Sequence, residues 1–146
     1  MINIKREGVI LEATNFEFEN ESVMNPAVIV AGGKIHMFYR AVRVGNMSSI
    51  GYCRLENPLK VVYRKKEPIL FPEFEYEKHG MEDPRIVKIE DTYYMTYTAY
   101  DGDNAVGALV TSKDLKHFTR AGIITSQVTY HQFVEWLKND KHPHTY

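Results

Sequence analysis

A single cysteine, Cys53, leaves the 146-residue chain without an internal disulfide. In "IGYCRL" it reads as the filling of a strand face, because no nearby histidine is suggested that would activate it as a nucleophile. No apolar run is long enough to span a bilayer. No sign of charge dominates either: 18 Lys and Arg stand against 19 Asp and Glu. That balance gives no electrostatic reason to bind nucleic acid or an anionic membrane. The opening stretch "MINIKREGVILEATNFEFENES" lacks the apolar core of a signal peptide, so a cytoplasmic location is the expectation. Hydrophobic residues at 44% and charged residues at 25% exclude global disorder.

Aromatics are plentiful, with ten Tyr and seven Phe. They suit strands, and they also suit surfaces on which sugars stack. The chain then repeats itself. "NPAVIVAGGKIHMFYRAV" (25–42) lies over "DPRIVKIEDTYYMTYTAY" (83–100) without a gap, at an offset of 58 residues. Asn25 meets Asp83, Pro26 meets Pro84, Met37 meets Met95 and Tyr39 meets Tyr97. The turns "AGGK" and "IEDT" coincide, so each copy reads as strand, tight turn, strand. "SSIGYCRLENPLKVVYRKKEPIL" corresponds less cleanly to "VGALVTSKDLKHFTRAGIIT", which adds a third and a fourth strand to each copy.

A four-stranded unit recurring at this length is the signature of a β-propeller blade. The expected fold is therefore all-β, about two blades of an incomplete propeller with a short C-terminal helix. On this reading residues 1–24 form a leading strand or arm, 25–82 the first blade repeat, 83–126 the second, and 127–146 a helical segment and tail. "TYHQFVEWLKND" puts Phe133, Val134, Trp136 and Leu137 on one helical stripe, with Thr129 as a cap, and the stripe is expected to bury. His142 and His144 flank a proline in the tail and read as solvated residues, so no metal site is expected. "RKKEP" (64–68) reads as a solvated strand end. An open blade face and an unpaired edge predict self-association, with a homo-oligomer as one way to cover them.

The acids "EDPR" (82–85) stand at the expected entry of a first strand, where Asn25 and Asp83 converge on one mouth of the propeller. Strand alternation puts Asp83 and Arg85 on one face and Glu82 on the other. Two readings of Asp83 stand side by side: a member of a structural ion pair, or a catalytic acid tuned by its surroundings.

"NPAVI…GKIHMFYRAV", "GMEDPRIVKI…YYMTYTAYDG" and "TSKDLKHFTRAGIIT" resemble glycoside hydrolase family 130, the mannoside phosphorylases and related mannosidases. The likeness runs from about Asn15 to Tyr130. It implies a five-bladed propeller of about twice this length, of which the chain is a fragment. It implies Asp83 as the general acid and Asn25 as a holder of the mannosyl unit in the −1 subsite. Arg40 or Arg43 would contact sugar or phosphate, and Arg85, Tyr100 and Asp101 would line the pocket. The implied chemistry is inverting phosphorolysis of a β-mannoside to α-mannose 1-phosphate. Inorganic phosphate is the co-substrate and a β-mannosyl oligosaccharide the substrate, with no metal or organic cofactor. A phosphorolytic enzyme omits the general base that an inverting hydrolase needs, because phosphate is already an anion; it needs a cationic cradle instead. Val106 and Gly107 stand where a more basic segment is expected. A mannosidase of the same family and a catalytically inactive sugar-binding module remain as alternatives.

Overall fold

The computed structural model describes residues 3–125 and 130–139, so Thr129, His142 and His144 lie outside the described residues. The first unit contains β1 (Ser22–Ala31), β2 (Lys34–Arg43), β3 (Met47–Asn57) and β4 (Lys60–Arg64); the second contains β5 (Gly80–Ile89), β6 (Thr92–Tyr100), β7 (Ala105–Ser112) and β8 (Phe118–Ile123). Each unit is an antiparallel meander in chain order. A single parallel bridge, Ser48 to Gly80, links them into one sheet path. This open sheet is the all-β, incomplete propeller that the repeat implied.

The two units stack face to face, and their strand patterns show it. In β6 buried and half-buried residues alternate strictly, so one face is covered. In β2 burial runs almost continuously from Met37 to Val42, so both faces are covered. Phe38, Ile50 and Tyr52 of the first unit share a core with Met95, Tyr97, Ala99, Ala108 and Val110 of the second. The opposite face of the first unit holds Met37, Tyr39, Ala41, Cys53 and Leu55. These are the repeat equivalents of Met95, Tyr97 and Ala99 with their strand neighbours. Leu11 and Phe18, from the segment before β1, cover them where the second unit has a neighbouring blade. Cys53 is fully buried there, and burial pushes its thiol up to about 11, in keeping with a packing role.

The repeat extends further back than Asn25. Short 3-10 turns lie at Glu17–Glu19 and Glu75–Glu77, again 58 residues apart, in "FEFE" and "FEYE". Each sends one fully buried glutamate into a core. Glu19 accepts a hydrogen bond from the Tyr39 hydroxyl at 2.8 Å and pairs with Arg64 at 2.9 Å. Glu77 accepts from the Tyr97 hydroxyl and stands 3.4 Å from Arg120. The arginines are equivalent by register, since Arg64 lies opposite Cys53 and Arg120 opposite Val110. Arg64 is thus no part of a solvated strand end, as "RKKEP" had suggested. The register also explains the weaker second half of the sequence alignment. Met37 faces Cys53 but Met95 faces Val110, so the offset slips from 58 to 57 after the second turn. Tyr39 fits only because Gly51 lies beneath it: a Cβ there would fall 2.2 Å from the ring.

The Asx-Pro pairs lie within strands rather than at their start. β1 begins three residues before Asn25 and β5 three before Asp83, and the register breaks between Met24 and Ala27 and between Glu82 and Arg85. Both are β-bulges, one of the few places where a strand accommodates proline. The helix α1 (Tyr130–Asn139) forms, but none of its residues is buried; Phe133, Trp136 and Leu137 stay largely exposed.

Two predictions follow from the buried carboxylates. Removing one partner of a buried, hydrogen-bonded charge pair costs about 3–5 kcal/mol. Glu77→Ala strands Arg120 and the Tyr97 hydroxyl together, so a loss of unfolding free energy of that size, read from urea titration, is expected, and a smaller one for Glu77→Gln, which keeps an acceptor. No loss of stability in Glu77→Gln, with a large loss in Glu77→Ala, would mean that the glutamate only fills space. Burial first, then the glutamate hydrogen bond and charge, raises Tyr97 above the ordinary tyrosine value near 10; burial likewise raises Tyr39. The folded state therefore holds phenolic protons that the unfolded state releases above pH 10. Stability is full below that pH and falls as pH rises past it. Absorbance at 295 nm should show these two rings ionising only with unfolding.

Candidate functional site

At the two bulges the backbone turns left-handed. Asn25 has φ of 48° and Asp83 of 49°, a region in which Asn and Asp are enriched among non-glycine residues. The bulges re-aim both side chains toward each other. Asn25 Nδ2 donates to Asp83 Oδ1 at 2.7 Å, so repeat-equivalent residues meet at the end of the sheet where β1 and β5 lie together. Arg40, from the face of β2 turned toward the second unit, completes the group. Its Nη2 pairs with Glu82 Oε1 at 2.6 Å, its Nη1 stands 3.7 Å from Asp83 Oδ1, and its Nε donates to Ser48 Oγ at 2.9 Å. Arg40 and Glu82 are largely buried, with 17% and 18% of their side chains exposed, whereas Asp83 keeps 38% of its side chain in solvent.

Strand alternation fails across the bulge. Glu82 and Asp83 both turn to Arg40, and Arg85 leaves them, its Nη1 donating to the Pro84 carbonyl at 2.7 Å. The arrangement is a carboxylate held from two sides by an amide and a guanidinium, with Glu82 fixing the guanidinium. A sugar hydroxyl or an anion reaching Asp83 would meet donors and an acceptor within one small region.

The other candidates lie elsewhere. Arg43 is half exposed and pairs with Glu17 at 3.3 Å. The Tyr100 hydroxyl donates to the Gly102 carbonyl at 2.6 Å. Asp101 closes the β6–β7 turn through the N–H groups of Asp103 and Asn104; the Asn104 N–H, then that of Asp103, holds its carboxyl below the usual range. Val106 and Gly107 lie in the first half of β7, and the Gly107 N–H donates to Thr125 Oγ1 at 3.0 Å. Glu82 and Ser48 were absent from the sequence-level candidates. Glu82 had a visible signal in its place beside Asp83, but alternation assigned it to the wrong face. Ser48 had none.

Two stacked four-stranded units, with acids and an arginine gathered where their first strands meet, define part of a propeller-like fold. The chain belongs to glycoside hydrolase family 130: the family model, described as beta-1,4-mannooligosaccharide phosphorylase, matches residues 4–142. A 1,2-beta-oligomannan phosphorylase from Thermoanaerobacter sp. (strain X514) is 34% identical over 140 residues, covering 87% of this chain and 47% of that protein. A glycosyl hydrolase from Bacteroides ovatus superposes with a TM-score of 0.75 at 26% identity, covering 81% of this chain and 40% of that one. A further structure has the same TM-score at 27% identity, with 81% and 39% covered. It comes from work describing family-130 glycoside hydrolases that target beta-1,2 mannosidic linkages in Candida mannan. The chain spans about half the length of the curated relatives it matches.

Proposed function

We propose that the chain supplies the acid-bearing blades of an inverting β-mannoside phosphorylase, completed by further blades of a five-bladed ring. The observation that carries this reading is the Asn25–Asp83–Arg40 cluster, at 2.7 and 3.7 Å, in a chain of family 130. Asp83 protonates the leaving glycosidic oxygen as a phosphate oxygen attacks the anomeric carbon from the opposite side. The C–O bond to the leaving sugar breaks, and α-mannose 1-phosphate forms with inverted configuration. Asn25 orients Asp83 and the bound mannosyl unit. Arg40 offers positive charge at the same place, although Glu82 neutralises part of it. The remaining phosphate-binding cations belong to blades outside this chain. Inorganic phosphate is the co-substrate, and the reading requires no metal or organic cofactor.

Hydrolysis is the second reading, favoured by the similar structure described among hydrolases of β-1,2-mannosides. A sugar-binding role without turnover is the reading left if the chain works only as it stands.

Asp83→Asn tests the assignment in a protein containing the whole ring. Asn tolerates the left-handed backbone, so the fold is retained. Release of mannose 1-phosphate from a β-mannosyl disaccharide should fall at least about a hundredfold, the lower range of general acid contributions. Near-normal turnover would remove Asp83 from the chemistry, and product formation without phosphate would favour the hydrolase. The half-exposed face of the second blade belongs to the same reading: the 146-residue chain alone is expected to form homo-oligomers, and a monodisperse monomer in sedimentation would oppose this.

A further inference from the structure

The segment that leaves each blade turns back on that blade's third strand. The Ile69 N–H donates to the Ile50 carbonyl at 2.8 Å, and the Ile50 N–H to the Leu70 carbonyl at 2.9 Å. After the second blade the Ile124 N–H donates to the Gly107 carbonyl at 2.8 Å, and the Gly107 N–H to Thr125 Oγ1 at 3.0 Å. Ile50 and Gly107 are equivalent by register: Ile50 lies opposite Arg40, and Gly107 opposite Thr98, the repeat equivalent of Arg40. Two linkers thus make the same bridge, each to the blade it leaves.

The chain holds a third such segment, ahead of the first blade. The 58-residue offset sets Leu11 and Glu12 over Ile69 and Leu70. The match is structural as well. Phe16 and Phe18 stack with 5° between their rings, as Phe74 and Tyr76 do. The Glu19 N–H donates to the Phe16 carbonyl as the Glu77 N–H does to that of Phe74. Leu11 and Ile69 each pack against a core. One thing differs: the Leu11 N–H has no hydrogen-bond partner among the described residues. Backbone donors are ordinarily paired once a segment is covered, so this one waits for an acceptor.

The face beside it is open too. Leu11, Val23, Pro26, Met37 and Tyr39 help to line an apolar hollow of about 140 Å³. In the second blade Met81 and Pro84, the equivalents of Val23 and Pro26, are fully buried, and Met81 shares a core with Phe38, Ile50 and Tyr52 of the first blade. In the first blade Val23 is half-buried and Pro26 exposed. Val28 is likewise 50% exposed, whereas its equivalent Ile86 packs on the shared core. The first blade covers the second at these positions and has no such neighbour of its own.

We infer that Leu11 and the hollow form a closing joint, which takes the third strand and apolar face of the last blade of the ring. The inference rests on the five-bladed ring of the proposed function. The Leu11 N–H donates to the carbonyl that stands in that blade where those of Ile50 and Gly107 stand in these two, and an apolar side chain of the same blade fills the hollow. A second copy of the chain would have to offer Gly107, which its own Ile124 already bridges. Pro26 lines the hollow and follows Asn25, so the joint also steadies the strand that presents Asn25 to Asp83.

The test uses a protein containing the whole ring, with p-benzoylphenylalanine in place of Val9, which is 77% exposed next to the hollow-lining Ile10. Irradiation should join residue 9 to a peptide of the last blade's third strand, identified by mass spectrometry. Hydrogen exchange of the unlabelled protein gives a second reading. The Leu11 amide should exchange within about tenfold of the Ile69 amide, and at least about a hundredfold more slowly than an unbonded amide. A crosslink within the first two blades, a crosslinked dimer or no crosslink would overturn the joint. So would fast exchange at Leu11 beside slow exchange at Ile69. Each of these leaves the role of Asp83 standing, because that role is read from mannose 1-phosphate release. Conversely, the expected crosslink in a protein whose Asp83→Asn variant keeps full turnover would retain the joint and remove the proposed chemistry.

Discussion

Two glutamates with no exposed surface, Glu19 and Glu77, fix how each blade is assembled. A carboxylate in a core is tolerable only when its oxygens are met by charge and hydrogen bonds. Here each is met by a tyrosine from the second strand of its blade and an arginine from the fourth. One glutamate thus ties a linker to both an inner and an outer strand. The linker cannot slip without exposing the acid to an apolar surrounding, and so it enters each blade at one defined place. Gly51 belongs to the same constraint, because the ring that presents the Tyr39 hydroxyl lies where any larger residue's Cβ would be.

That fixed entry sets up the site. With the linkers pinned, β1 and β5 start in equivalent positions and their bulges fall at equivalent heights. The left-handed turns at Asn25 and Asp83 then bring the two side chains to 2.7 Å across the join between blades. Residues held in such sparsely populated backbone regions persist only where the surroundings hold them, and they cluster at functional places. Arg40 contributes from the face of the first blade that packs on the second, so the cluster exists only once the blades have stacked. Glu82, Ser48 and Asp83 then share its guanidinium.

Much of the architecture was legible in the chain itself. The 58-residue offset, the coincident turns and the alternation in "TYYMTYTAY" were enough for two four-stranded units, because periodicity of burial is a local property. The site was legible in part. Asn25 and Asp83 were paired through the repeat, whereas Arg40 shared its candidacy with Arg43. Glu82 was misplaced because counting alternate residues presumes an unbroken pleat, and the bulge breaks it. The triads went unseen although "FEFE" and "FEYE" repeat, since an exposed-looking acidic stretch gives no sign that every second glutamate turns inward. Arg64 was likewise hidden in a charged run.

Sequence by itself determined the class of fold, the repeat and its equivalences, for these follow from local patterning and from residue types matched at a constant spacing. Tertiary structure decided which charges are buried, which face each acid takes and which arginine reaches Asp83. Those outcomes depend on a two-residue bulge, on a register that slips by one position, and on the stacking of one blade on the next. Each is settled by long-range packing, where the cost of leaving a buried charge unpaired outweighs any local preference.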